Sequence, residues 1–277
     1  MQNSISNLSD SLLKHVKTSD KVCPIHETPL SVFKELAPFC QQCKKEQIEN
    51  KNNEMVKVAE ERHAKRTTVE VLKKDSVLYD DTISNACFRN YSCVEDSKEY
   101  SVKQEIEALG KKYLEGEKFN AIFNGEPGAG KSHLAMSLLK VLNEYSNEPV
   151  SCLFISFEEV LSLIRESYNN PETKYSELNM IDLMGRVDYL VLDDVGSETG
   201  RLARTDGRTV YATDFTVKVL KRTLERRQNK STIVTTNLTK TQLATIYDAR
   251  IASRIYRNVA GNIVKFHGIS DKRVKSL

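Results

Sequence analysis

The chain has 277 residues, 41 of them basic and 38 acidic, for a formal charge of +3. That length suits one substantial α/β domain plus something smaller, because single cores saturate near about 100 to 200 residues. The near balance of charge excludes a protein that coats nucleic acid by bulk charge, so any such contact must be a local patch. No run approaches the roughly 18 to 20 apolar residues that cross a bilayer, and MQNSISNLSDSLLKHVKTSD at the start lacks the apolar segment of a signal peptide. The expectation is a soluble, cytoplasmic protein with no membrane partner.

In a reducing compartment the six cysteines read as metal ligands or packed thiols rather than disulfides. Cys23-Pro24-Ile25-His26 and Cys40-Gln41-Gln42-Cys43 place C-x-x-H and C-x-x-C thirteen residues apart. Each pair is spaced for a knuckle, and four such ligands fill a tetrahedral Zn²⁺ site with no open position, so the metal's role is structural. A segment of about 45 residues has too little core to fold unaided, and metal binding supplies the missing free energy. Lys34, Lys44 and Lys45 alternate with Glu27, Glu35 and Glu46 around the ligands, which favours a protein partner over direct contact with nucleic acid. Cys87, Cys93 and Cys152 have no matching spacing and read as core or surface thiols.

All eleven glycines lie at or after Gly110, and neither Gly nor Pro occurs between Pro38 and Gly110. The stretch from about Lys44 to Asp75 can therefore run as uninterrupted helix. Its mixed charges and sparse apolar residues suit a solvated connecting helix. The expected organisation is a zinc module over 1–46, a helical linker over 47–80 and an α/β domain over 81–277.

From about Asp81, short β-branched and aromatic runs alternate with helical patterns, the texture of a parallel sheet built from βα units. The predicted strands are Phe119–Asn124, Val150–Ser156, Val187–Asp193, Ser231–Thr236 and Ile263–His267. Between the first two lies Gly125-Glu126-Pro127-Gly128-Ala129-Gly130-Lys131-Ser132, a match to G-x-x-x-x-G-K-[ST] with a strand before it and a helix after it. Glycines let successive backbone N–H groups turn inward as an anion nest, the helix start adds its positive dipole end, Lys131 reaches the β and γ oxygens of ATP, and Ser132 suits Mg²⁺. His133 follows on the same helix and is placed to touch the phosphate side.

The third strand ends in Leu192-Asp193-Asp194. Asp193 is placed to hold Mg²⁺ through water and Asp194 to polarise the attacking water. Beyond them, Gly200-Arg201-Leu202-Ala203-Arg204-Thr205-Asp206-Gly207-Arg208 with Tyr211 and Phe215 offers basic and aromatic groups for a single-strand site, and Lys218, Lys221, Arg222, Arg226 and Arg227 extend it. A solvated helix face with a loop is the alternative for each of those residues. Asn237, after the fourth strand, either contacts the γ-phosphate or caps a turn.

The order GEPGAGKSHLA, YLVLDDVGSE, STIVTTNLT and DARIASRI, preceded by ACFRNYSCVEDS, resembles AAA+ ATPases and, among them, the DnaC and DnaI-like replicative helicase loaders of bacteria and bacteriophages, over most of Asp81 to Leu277. The resemblance implies a five-stranded parallel sheet flanked by helices. It makes Asn237 look like sensor 1, Arg254 like an arginine finger with Arg250 as its rival, and Arg273 like sensor 2. It implies self-association, since a finger acts on a neighbour's site. It further implies a DnaB-type helicase, engaged through the zinc module, and single-stranded DNA as partners. Asp194 stands where Glu is usual in such ATPases, and its shorter reach implies slow turnover. Two other readings share this core: a transposition regulator similar to the IstB group, and an adaptor that binds nucleotide without hydrolysing it.

Overall fold

The computed structural model describes residues 16–34, 37–170, 172–199 and 211–272. They form two compact units, with the division between Ala64 and Lys65.

In the first unit, strands β1 (Val16–Val22) and β2 (Pro29–Phe33) make an antiparallel hairpin in which Lys17 faces Val32 and Thr18 faces Ser31. The sequence did not announce it, because Lys17, Asp20 and Lys21 break the apolar alternation that marks a strand. Helix α1 (Gln41–Thr67) follows and buries none of its residues, as expected of a solvated helix. Its end corrects the expectation of a helix running on to Asp75. Thr67, Thr68 and Val69 are three successive β-branched residues, which disfavour helix. A turn closed by the Glu70 N–H on Lys65 O at 3.0 Å leads instead to the short helix α2 (Val71–Lys74). Arg66 donates to both carboxylate oxygens of Asp75, at 2.5 and 2.7 Å, and holds that turn closed.

In the second unit, helix α3 (Lys98–Leu114) precedes a five-stranded, all-parallel sheet. Its strands are β3 (Ala121–Gly125), β4 (Cys152–Ser156), β5 (Tyr189–Asp193), β6 (Ser231–Thr236) and β7 (Ile263–Phe266), in the order β4-β5-β6-β3-β7. The expected AAA+ sheet is thus borne out, with three strands starting two residues later than read. Polar side chains stop them. Asp188 accepts from the Ser151 N–H and hydroxyl at 2.8 and 2.7 Å, and Asn120 bridges Arg257 O and the Thr232 N–H.

Strand alternation divides the core between the sheet's two faces. Ile122, Leu153, Ile155, Leu190, Leu192 and Val234 pack on one side with helices α5 (Phe157–Ser167), α6 (Glu177–Arg186), α7 (Asp214–Arg226), α8 (Lys240–Tyr247) and α9 (Ala249–Ile255). Phe123, Phe154, Val191, Ile233, Val264 and Phe266 pack on the other with α3 and with α4 (Lys131–Tyr145). Beyond β4 the chain covers the sheet's open edge, where the Val77 N–H donates to Phe154 O at 2.9 Å and Val77 O accepts from Ser156 at 2.8 Å.

One cation is built into this frame. Arg227, 3% exposed, uses all five of its donors on Thr232 Oγ1 and the carbonyls of Met184, Val187, Asp188 and Ser231. Burial pushes its guanidinium down to about 9, and the nearby Asp188 charge opposes that shift. Arg227 therefore ties the starts of β5 and β6 to the end of α7 and is not a surface residue. The expectation that it extends a DNA-binding cluster is corrected. Arg227→Met should destabilise the protein by about 3 to 5 kcal/mol, since it strips buried carbonyls of their donors. A urea-unfolding free energy that falls by less than about 1 kcal/mol would contradict this role.

Candidate functional site

The carboxyl ends of β3, β5 and β6 lie side by side, the place where open parallel sheets bind ligands. From β3 the chain enters the glycine-rich loop and leaves it at Gly130, whose φ of 90° caps α4. A Cβ there would stand 2.6 Å from the Tyr91 ring, and one at Gly128, with φ 78°, would stand 2.0 Å from the Asp271 carboxylate. Only glycine suits either position. The Tyr91 hydroxyl donates to Ala129 O at 3.2 Å, the Lys272 N–H donates to Gly128 O at 3.0 Å, and the Lys272 ammonium lies 4.2 Å from the Tyr91 ring centre. The loop is therefore braced from outside by the segments around Tyr91 and Asp271.

Lys131 is buried and donates to Gly125 O at 2.9 Å, to Glu126 O at 2.8 Å and to Asn237 Oδ1 at 2.6 Å. Asn237 reaches on to Asp194 Oδ1 through Nδ2 at 3.4 Å. Thr235 donates to Asp193 Oδ1 at 2.6 Å and accepts the Asp194 N–H at 2.8 Å. Burial raises the Asp193 carboxyl, and hydrogen bonds from Thr235 and then Ser132 hold it down. A desolvated carboxylate beside a serine hydroxyl is a donor set that suits Mg²⁺. Lys131, Ser132, Asp193, Asp194 and Asn237, singled out along more than 100 residues of sequence, thus converge on one crevice.

The remaining loop residues are used differently. Glu126 lies 3.4 Å from His267 Nδ1, and its carboxyl is lowered chiefly by its own backbone N–H. Pro127 has no N–H to offer a phosphate. His133 turns to the Cys87 carbonyl, 3.0 Å from Nε2, and to the Tyr91 ring at 5.5 Å, and burial lowers its pKa. Arg254 pairs with Glu225 of α7 at 3.0 Å, whereas Arg250 is exposed and makes no side-chain ion pair among the described residues. Arg273 and Gly200–Arg208 lie outside the described residues. Of the basic cluster on α7, Lys218 and Arg222 pair with Glu177, and Arg226 pairs with Asp182.

In the first unit, the Cys23, His26, Cys40 and Cys43 ligand atoms lie within 4.8 Å of one another. His26 Nδ1 is 3.8, 3.6 and 3.3 Å from the sulfurs of Cys23, Cys40 and Cys43, and Cys23 and Cys43 are 3.6 Å apart. Bonds of about 2.3 Å to sulfur and about 2.1 Å to nitrogen set tetrahedral edges of roughly 3.6 to 3.8 Å, so the four atoms fit Zn²⁺. The Cys43 N–H, 3.5 Å from Cys40 Sγ, draws the Cys40 thiol down to about 6, while burial pushes Cys43 up to about 12. Glu46 accepts from His26 Nε2 at 2.9 Å and fixes the ring with Nδ1 toward the sulfurs. Sequence reading missed Glu46 as a support, although it stands one helical turn beyond Cys43 on α1.

The sheet and its crevice define a P-loop fold of the AAA+ class. The expected likeness to replicative helicase loaders is borne out within that class. The chain is 30% identical over 120 residues to the replicative helicase loader DnaC of Escherichia coli K12, a match covering 42% of this chain and 44% of DnaC. The chain therefore spans less than half the length of that relative. It is 26% identical over 182 residues to the uncharacterised protein YdaV of the same strain, 65% of each chain. The crystal structure of the DnaC helicase loader superposes with a TM-score of 0.53 at 20% identity, over 67% of this chain and 99% of that one, and shares its fold. No protein-family model matches the chain. Among the described residues, no helix is long and apolar enough to cross a membrane.

The cluster geometry makes metal content a direct test. Purified protein should carry about one zinc per chain, Cys43→Ser should lose most of it, and Glu46→Gln should weaken zinc about 10- to 100-fold against a chromophoric chelator. Equal zinc in Cys43→Ser and the unmodified protein would rule out this ligand set.

Proposed function

We propose that the chain is an ATP-dependent loader of a hexameric, DnaB-type replicative helicase, delivering it to single-stranded DNA at replication initiation. The observation that carries the reading is the hydrogen-bonded run from Lys131 through Asn237 to Asp194, which joins the phosphate loop to the ends of β6 and β5. Together with the likeness to DnaC, it favours a protein whose nucleotide state is read across the domain.

In this reading the glycine-loop amides and Lys131 hold the phosphates, and Ser132 and Asp193 hold Mg²⁺. When bound, Mg²⁺ neutralises charge gathering on the phosphate oxygens. Asp194 accepts a hydrogen bond from the attacking water, and Asn237, anchored to both Lys131 and Asp194, orients it. Arg254 or Arg250 completes the site from a second copy of the chain. Arg254 must first leave Glu225, a partly exposed ion pair of small worth, whereas Arg250 has no such tie. The zinc module and α1 serve as the hook for the helicase. With Lys218, Arg222 and Arg226 already paired to acids, DNA contact falls to Lys221 and to the segment that carries Arg201, Arg204 and Arg208.

Two measurements test the reading. Lys131→Ala should weaken binding of a fluorescent ATP analogue at least about 100-fold, a loss of about 2.7 kcal/mol, whereas Asp194→Ala should keep ATP bound and stop phosphate release. Unchanged ATP affinity in Lys131→Ala would place the nucleotide elsewhere. The replicative helicase of the host should be captured by the full chain and not by one lacking residues 1–46. Failure of the full chain to capture it, with and without ATP, would argue against a loader.

A further inference from the structure

The turn after Asp194 carries a half-buried acidic side chain that the mechanism above leaves unused. Glu198, in the 3₁₀ turn Ser197–Thr199, accepts the Gly196 N–H on Oε2 at 2.9 Å and the Tyr247 hydroxyl on Oε1. Tyr247 is 2% exposed and ends α8. The next residue, Asp248, sits at φ 97° and caps α9, with Oδ1 accepting from the N–H groups of Arg250 at 2.7 Å and Ile251 at 3.0 Å. The same turn is fastened to β6 at its other end. The Val195 N–H donates to Thr235 O at 3.0 Å, Thr236 donates to Val195 O at 2.7 Å, and Asp194 itself is held at φ 56°.

We infer that the hydrogen bond between Glu198 and Tyr247 is a positioning contact that joins the Asp194 turn to the start of the arginine-bearing helix α9, so that the two move together. This rests on the ATPase reading above. A left-handed conformation at an aspartate persists only where its surroundings enforce it, and here β6 enforces one side and Glu198 the other. Glu198 is half-buried, with Glu158 also near, so it stays in place only while both donors serve it. Without the Tyr247 hydroxyl the carboxylate gains by turning to water. The Gly196 amide is then released, and both the Asp194 turn and the Asp248 hinge lose a fixed neighbour. A displacement of about 1 Å at a catalytic group costs roughly 100-fold in rate, so even a fraction of that shift is measurable.

The test is Tyr247→Phe in the full chain, which keeps the ring and its packing. With Mg²⁺-ATP and single-stranded DNA, kcat should fall about tenfold while KM and the affinity for a fluorescent ATP analogue stay within about twofold. Hydrogen exchange should quicken together in peptides covering 194–199 and 248–252, with the rest of the domain unchanged. Glu198→Gln should behave alike. A Tyr247→Phe protein with native kcat and native exchange would overturn the inference, as would a parallel loss of nucleotide affinity and turnover, which marks general damage to the crevice. If the unmodified protein binds ATP and never hydrolyses it, the ATPase reading fails instead, and the paired exchange change still decides whether the contact links the two segments.

Discussion

A carboxylate half-withdrawn from water at the end of a buried strand sets the terms for everything around it. Asp193 closes β5, and burial works against its charge. The fold answers with the Thr235 hydroxyl at 2.6 Å, the Ser132 hydroxyl and the Lys131 ammonium. Each answer has a structural requirement. Thr235 must lie on β6 in register beside β5, Ser132 must open α4, and Lys131 must stand at the exit of a loop that only glycine can turn. The all-parallel sheet meets the three requirements at once because it brings the carboxyl ends of β3, β5 and β6 to one edge.

Much of this was legible in the sequence because each motif carries its own physical signature. The glycine spacing, the apolar strand before it and the helix after it fixed the phosphate loop, and an apolar run ending in Asp193 and Asp194 fixed the opposite wall. The cysteine and histidine pairs behaved likewise, since ligand spacing constrains geometry locally. What stayed hidden depends on contacts between distant segments. Nothing in the string around Tyr91 or Asp271 announces that they press on Gly130 and Gly128, and Glu198 carries no mark of its Tyr247 partner 49 positions away. The hairpin of β1 and β2 escaped because Lys17, Asp20 and Lys21 spoil the alternation of β1 and because β2 is only five residues long, and the end of α1 escaped because no Gly or Pro marks it.

The basic residues of α7 show why composition is a poor guide to recognition. Lys218, Lys221, Arg222, Arg226 and Arg227 read as one positive surface, yet three of the five are paired to acids of α6 and Arg227 is buried among carbonyls, which leaves Lys221 exposed. Charge counts do not distinguish a cation offered to a partner from one spent on packing two helices. Only the pairing does, and pairing is a property of the folded chain. The same distinction separates Arg254, held by Glu225, from Arg250, which stands exposed four residues earlier on the same helix.

Asp194 brings these constraints together. Its side chain is one methylene shorter than the glutamate usual at that position, so in the proposed ATPase its reach toward a water depends more on where the backbone puts it. The backbone puts it in a left-handed turn at φ 56°, with its N–H on Thr235 and its carboxylate 3.4 Å from Asn237. A short acid in a rigid turn has little freedom to correct its own aim, so the aim is set by whatever holds the turn. β6 holds one end and the Glu198 carboxylate the other. In the ATPase we propose, turnover is governed less by the acid's chemistry than by the stiffness of its supports, which suits a loader that uses nucleotide as a timing signal.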